Sequence, residues 1–222
     1  MNTIKRHLWG KWVFLIIGIG IWAACTSDEQ TIPIEVVQRQ DNPLNYKKVD
    51  SLIAMIQSGD LVFRTGADMT SYMLRQLNLH EKMYSHCGIA IVENGQVYVY
   101  HSIGGEDNPD EKLRKEPAQV WFSPVNNLGG GVARLLVQRL NHDSLATLLH
   151  AWHSSGKKFD MKFDLSTDDR LYCSEMVYKA FNKILQDTTW LKPVNMFGYS
   201  IMPIDHLYRH KLAKFICRVE YK

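Results

Sequence analysis

The sequence predicts an α+β fold, a single domain in which helices pack on an antiparallel sheet. Three observations predict it. A hairpin signature occupies residues 86–102, two well-striped amphipathic helices occupy 145–152 and 174–185, and further short strands scatter along the chain without regular strand–helix alternation.

The elements follow in chain order. Val49, Leu52, Ile53 and Ile56 share one face of a helix expected over 47–57. Gly59-Asp60 turns the chain into a short strand, Leu61-Val62-Phe63. A helix over 69–79 follows, capped by Asp68 or Thr70, with Met73, Leu74 and Leu77 turned inward. His86–Val92 and Val97–Ser102 flank Glu-Asn-Gly-Gln, and Asn94-Gly95 is the favoured centre of a type I′ turn. Both faces of this hairpin are largely apolar, as in strands covered on two sides. Residues 104–118 are charged and carry Pro109 and Pro117, so a surface loop is expected; Gly129-Gly130-Gly131 reads as a second break. Val132–Leu140 alternates as a strand. Leu145, Leu148, Leu149 and Trp152 mark a helix opened by Asp143 or Ser144 and closed by Gly156. Met176, Val177, Ala180, Phe181 and Ile184 stripe the next helix, and 214–221 closes the chain as a strand.

The first two dozen residues read as an address. Lys5, Arg6 and Lys11 precede a 12-residue apolar run, Val13–Ala24, and Ala23-Ala24 leads into Cys25. A membrane-crossing helix needs about 20 apolar residues, so this run is short for one. The small pair before Cys25 resembles the lipobox of bacterial lipoproteins, with Trp22 where Leu, Val or Ile is usual, and implies lipidation of Cys25. An ordinary cleaved signal and an uncleaved anchor are the other readings. The expected organisation is a signal peptide over 1–24, a lipidated Cys25 with a flexible tether over 25–45, and one domain over 46–222. That places the protein outside the cytoplasm, anchored to a membrane by lipid, facing the periplasm or on the outer membrane.

The chain has 222 residues, 26 basic and 23 acidic. Residues 1–24 hold three of the basic ones and no acidic ones, so the positive balance belongs to the signal. No whole-protein charge argument for nucleic acid survives its removal. Of four cysteines, Cys25 aside, Cys87, Cys173 and Cys217 remain, and an odd number in an exported chain leaves at least one free thiol.

The candidate chemistry begins in the hairpin. With Asn94-Gly95 as a two-residue loop, His101 lies opposite Gly88, and His86 is its diagonal neighbour on the same face, about 7–8 Å away. Gly88 leaves room for the two imidazoles to meet, while Cys87 points to the other face. A lone strand histidine more often satisfies a buried hydrogen bond; two beside a glycine suggest a site. Cys173 stands just ahead of the apolar stripe, at a helix N-terminus, where unpaired N–H groups and the helix dipole favour a thiolate. Position alone leaves two readings, an activated thiol or a buried inert one. Cys217 reads as inert or as a partner for Cys87.

Four stretches in order carry a family resemblance: Gly59-Asp60-Leu61-Val62-Phe63, Ser85-His86-Cys87-Gly88-Ile89, Phe159-Asp160-Met161-Lys162-Phe163 and Tyr172-Cys173-Ser174-Glu175-Met176-Val177. Together they resemble the permuted papain-like amidases, the YiiX-like group. These are circularly permuted relatives of bacterial cell-wall cysteine peptidases and distant cousins of lecithin:retinol acyltransferase. The resemblance implies a circularly permuted papain-like fold whose antiparallel sheet packs against the nucleophile helix. It further implies Cys173 as nucleophile, His86 as base and His101 as the third polar residue. The YiiX-like group usually has Glu there and the acyltransferase cousins His. A peptide or amide substrate in the cell envelope is expected on this basis, an acyl lipid or a binding role without turnover being the alternatives. Neither cofactor nor metal is implied. His150 and His153 are too few to hold a metal, and Asp160 and Asp164 suit an amine or a turn. Glu175 reads as a first-turn acid, Tyr172 as a weak oxyanion donor, and Tyr98, Tyr100 and Trp121 as core or cleft wall.

Overall fold

A computed structural model describes residues 34–104, 108–196 and 198–222, with side chains from residue 38 onward. The expected signal over 1–24 and Cys25 lie outside the described residues. Among the described residues no helix is long and apolar enough to cross a membrane.

Chain order runs α1 (Ile34–Asp41), α2 (Pro43–Ile53), β1 (Leu61–Gly66), α3 (Met69–Arg75), β2 (His86–Glu93), β3 (Gln96–His101), β4 (Arg114–Pro117), α4 (Ala118–Trp121), β5 (Asn127–Leu135), α5 (His142–Ser154), α6 (Cys173–Leu185), β6 (Val194–Met196), β7 (Tyr199–Ile201), α7 (Ile204–Arg209) and β8 (Ala213–Glu220). Six strands form one antiparallel sheet in the order β4-β3-β2-β1-β5-β8, and β6-β7 form a separate small hairpin. The α+β expectation with an antiparallel sheet stands.

Two cores sandwich this sheet. On one face Phe63, Cys87, Ile89, Ile91 and Tyr100 pack with Leu145, Leu149 and Trp152 of α5 and with Met176, Val177, Ala180 and Phe181 of α6. On the other, Val62, Ala90, Val99 and Val132 pack with Val49 and Leu52 of α2 and with Ala118 and Trp121 of α4. Coverage on both sides explains why β1, β2 and β3 read as apolar runs rather than as clean alternation.

Several elements depart from expectation for identifiable reasons. The stretch expected as tether is helical from residue 34 to 41, and Pro43 opens α2 behind an Asn42 cap that accepts the Leu44 N–H at 3.0 Å. Within α3, which ends at Arg75 short of the expected 79, no residue is fully buried and Met73 is exposed; Leu74, and Leu77 just beyond the helix, line a cleft. Asn141, not Asp143 or Ser144, caps α5, accepting the Ser144 N–H at 2.9 Å. The glycine run is no break but the middle of β5: a Cβ on Gly130 would sit 2.6 Å from the Phe122 ring, and one on Gly131 would collide with the Tyr84 hydroxyl. Large side chains cross the sheet there, and glycine is the residue that lets them. Finally, the charged stretch expected as loop carries β4, an edge strand paired to β3 with His101 opposite Arg114. Charged residues and a terminal proline suit an exposed sheet edge, which a hydrophobic pattern cannot reveal.

Candidate active site

Register places the histidines. Ile89 pairs with Tyr100 and Ala90 with Val99 around a turn in which Asn94 and Gly95 have φ of 50° and 80°. His101 therefore falls opposite Gly88, as the loop length requires. A Cβ on Gly88 would lie 2.7 Å from the Tyr100 carbonyl and 3.1 Å from the His101 Cβ. Its absence lets His86 Nε2 approach His101 Nδ1 to 3.1 Å, with the rings edge to face at 5.2 Å. Trp121 floors both rings at 5.1 and 4.6 Å.

Helix α6 starts at Cys173 behind Tyr172, and Glu175 accepts the Tyr172 N–H at 3.0 Å to hold that first turn. Because α6 packs against β2 and His86 is the first residue of that strand, the thiol reaches around the strand end. It lines one cleft together with His86 and packs in one core cluster with Cys87. The expectation that Cys87 is turned away from the site is thus corrected: its side chain does leave the histidine face, but the opposite face is where α6 begins. Cys87, Cys173 and Cys217 are all free thiols, so Cys87 and Cys217 do not pair.

The polar chain extends past the histidines. His101 Nε2 lies 3.3 Å from Glu116 Oε2 on β4, at an oblique angle. With Glu116 ionised, the His101 proton sits on Nε2 and its Nδ1 accepts from His86 Nε2. His86 Nδ1 is then left as an open lone pair for the thiol. Glu116 therefore sets both tautomers, and no sequence signal distinguished it from its charged neighbours. His101 supplies no fixed charge itself; Glu116 supplies it one residue further out.

Electrostatics agree with these roles. Burial pushes His86 down to about 4, opposed by the neighbouring Cys173, so the ring is neutral at pH 7, with a lone pair free to accept a proton. Burial also pushes His101 down to about 4, opposed by Glu116. The neighbouring His101, with Arg64 nearby, holds Glu116 at about 2. The neighbouring Cys87 thiol, with His86, holds the Cys173 thiol well below its ordinary range against the pull of burial. Burial and that same contact drive Cys87 upward, so one sulfur keeps its proton and the other is poised to lose it.

The other singled-out residues take structural roles. Asp160 accepts the Lys162 and Asp164 N–H groups at 2.8 and 2.7 Å, and Asp164 accepts that of Ser166, which makes a turn. His150 meets Glu93 at 2.9 Å on the surface. Glu175 pairs with Lys179 at 2.9 Å, and burial pushes it up to about 7. The Tyr172 hydroxyl accepts the Met202 N–H at 2.9 Å. Among the described residues no three His, Cys, Asp or Glu side chains converge as a metal site.

Two clefts meet at His86. One, of about 250 Å³, includes Cys173 and is walled by Leu74, Leu77, Phe159, Phe163 and Met202. The other, of about 390 Å³, excludes Cys173 and is lined by polar groups that include Arg64, Arg114 and Asn126.

A thiol at a helix head, an imidazole beside it and a second polar side chain orienting that imidazole define the site class of the papain-like cysteine hydrolases. Residues 55–198 match the family described as permuted papain-like amidase enzymes (YaeF/YiiX, C92), and the chain belongs to that family. It is 29% identical over 136 residues to YiiX of Escherichia coli K12, an uncharacterized protein, covering 58% of this chain and 59% of that one. The chain thus spans less than two thirds of that relative's length. The fold is shared with the crystal structure of the metalloprotein YiiX from Escherichia coli O157:H7. The TM-score is 0.60 at 19% identity, over 74% of this chain and 98% of the other.

Proposed function

We propose that the protein is a cysteine hydrolase that passes through an acyl-enzyme on Cys173, with His86 as general base and acid. His101 and Glu116 act as positioning residues. The observation that carries this reading is Cys173 and His86 lining one cleft at the head of α6, with His86 in contact with His101 and His101 facing Glu116.

The steps follow from the geometry. His86 Nδ1 takes the thiol proton, and the thiolate adds to an amide or ester carbonyl. The resulting oxyanion lies beside the first N–H groups of α6, which have no acceptor within the helix. His86 then gives its proton to the departing nitrogen or oxygen, the C–N or C–O bond breaks, and the acyl group stays on sulfur. Water, deprotonated by the same ring, releases the acid and restores the thiol.

Family membership favours an amide or peptide bond, with peptidoglycan fragments as the envelope candidate. A second reading, hydrolysis or transfer of a lipid acyl group, is favoured by the apolar wall of the Cys173 cleft. Lipidation of Cys25 and attachment to a membrane belong to the same proposal and rest on residues 1–25 alone. They are checked by the mass of the mature N-terminal peptide.

Incubating the protein with envelope extract and weighing Cys173-containing peptides tests the central claim. An acyl adduct on Cys173, absent from Cys173→Ala, is expected, and the mass separates a peptidyl from a fatty acyl group. No adduct, together with unchanged activity in Cys173→Ala, would leave the fold as a binding module.

A further inference from the structure

Of the two arginines that line the polar cleft, Arg64 is the one without a carboxylate partner. It stands directly across from His86 in the β1–β2 register, on the same sheet face, with its guanidinium stacked 4.4 Å over Trp121. The other charged groups of the polar cleft are already engaged. Asp68 caps α3 through the Ser71 N–H and hydroxyl at 2.8 and 2.7 Å. Arg114 pairs with Glu111 at 3.0 Å and Glu116 at 3.4 Å, and Glu116 faces His101. Arg64 has no side-chain hydrogen bond and no carboxylate within ion-pair distance among the described residues. Half-burying an arginine without a partner is costly, and its planar fork fits a carboxylate or phosphate in bidentate fashion.

The two clefts divide the substrate. The acyl group remains bonded to Cys173 in the intermediate, so it occupies the apolar cleft that contains this sulfur. The departing group receives its proton from His86, which lines both clefts, and the second cleft, which Cys173 does not line, is the one left for it. Resting on the hydrolase reading for this division, we propose that Arg64 is a specificity residue that binds an anionic oxygen group, carboxylate or phosphate, on the leaving portion of an amphipathic substrate. The preferred substrates are then N-acyl amino acids or acyl esters of a phosphorylated alcohol, rather than neutral amides and esters.

Equilibrium binding to the Cys173→Ala protein tests this without turnover. Four octanoyl probes form two pairs: N-octanoylglycine against N-octanoylglycinamide, and 1-octanoylglycerol 3-phosphate against 1-octanoylglycerol. In calorimetry the anionic member of at least one pair should bind ~10- to 100-fold more tightly, the range of a charge-assisted bidentate contact. Which pair responds identifies carboxylate or phosphate. Arg64→Gln should erase the preference, and Arg64→Lys should keep part of it as a point charge. Equal affinities within each pair, or a preference that survives Arg64→Gln, would overturn the proposal; should Arg64→Gln not fold, the probe pairs and Arg64→Lys still decide. Offering the same probes to the protein with Cys173 intact separates the two readings. A charge preference in binding without hydrolysis sinks the hydrolase and keeps the anion site, whereas hydrolysis blind to charge does the reverse.

Discussion

Replacing Glu116 by Gln keeps shape and removes the charge at the far end of the proton chain. Forming the thiolate–imidazolium pair from thiol and imidazole moves a proton inside the site, so Glu116 acts on it through position. The contacts of 3.1 and 3.3 Å, with one ring between them, put the carboxylate ~8 Å from the His86 cation. At an effective dielectric of about 20 that attraction is ~2 kcal/mol, against ~1.4 kcal/mol of repulsion with a thiolate ~12 Å away. The net Coulomb gain, ~0.6 kcal/mol, is small because the pair is a dipole. Exchanging the charged acceptor facing His101 Nε2 for a neutral amide removes about 1 kcal/mol more, and it loosens the tautomer that leaves His86 Nδ1 open. The expected loss is ~1.5 kcal/mol, a tenfold slower alkylation of Cys173 by iodoacetamide at pH 6.5. Peptide mass spectrometry reads the rate at Cys173 apart from Cys87 and Cys217, and a thermal melt checks that the fold is kept. A rate within twofold of the unsubstituted protein would refute the idea that Glu116 reaches His86 through His101.

Removing the Cys87 thiol in Cys87→Ala should raise the pH midpoint of Cys173 alkylation, because the neighbouring Cys87 thiol helps hold the Cys173 thiol down; an unmoved midpoint would assign the activation to His86 alone. Stability should fall as pH drops from 6.5 to 4. The unfolded chain binds protons at His86 and His101 over that window, whereas burial holds both folded rings near 4. Glu175, raised to about 7, works in the opposite direction from 4.5 upward, one group against two. Melting temperatures flat between pH 6.5 and 4 would contradict the burial of the two neutral rings. Gly88→Ala should cost ~1–3 kcal/mol by overpacking against the Tyr100 carbonyl. It should also slow Cys173 alkylation by parting the histidines; a denaturation midpoint equal to that of the unsubstituted protein would show that the strands yield freely.

By itself the sequence determined what local rules control. Loop length and Asn94-Gly95 set the hairpin register, and a period of two then put His86 and His101 on one face. The stripe from Met176 to Phe181 placed Cys173 at a helix head. Tertiary structure alone decided what meets across elements. Glu116 lies in a short charged edge strand with no apolar pattern, so only its pairing to β3 brings it to His101. Cys87 faces away from the histidines, and only the docking of α6 over the end of β2 puts a second sulfur beside the first. Gly129–Gly131 read as a break because glycine has no side chain to announce a strand; the crossing rings of Phe122 and Tyr84 supply the reason for it. Arg64 is one charge on an apolar strand until Trp121 and the two clefts give it a place. Periodicity and turn chemistry act over a few residues and are written in order along the chain. Distances between side chains far apart in sequence exist only once the sheet has closed and the helices have packed upon it.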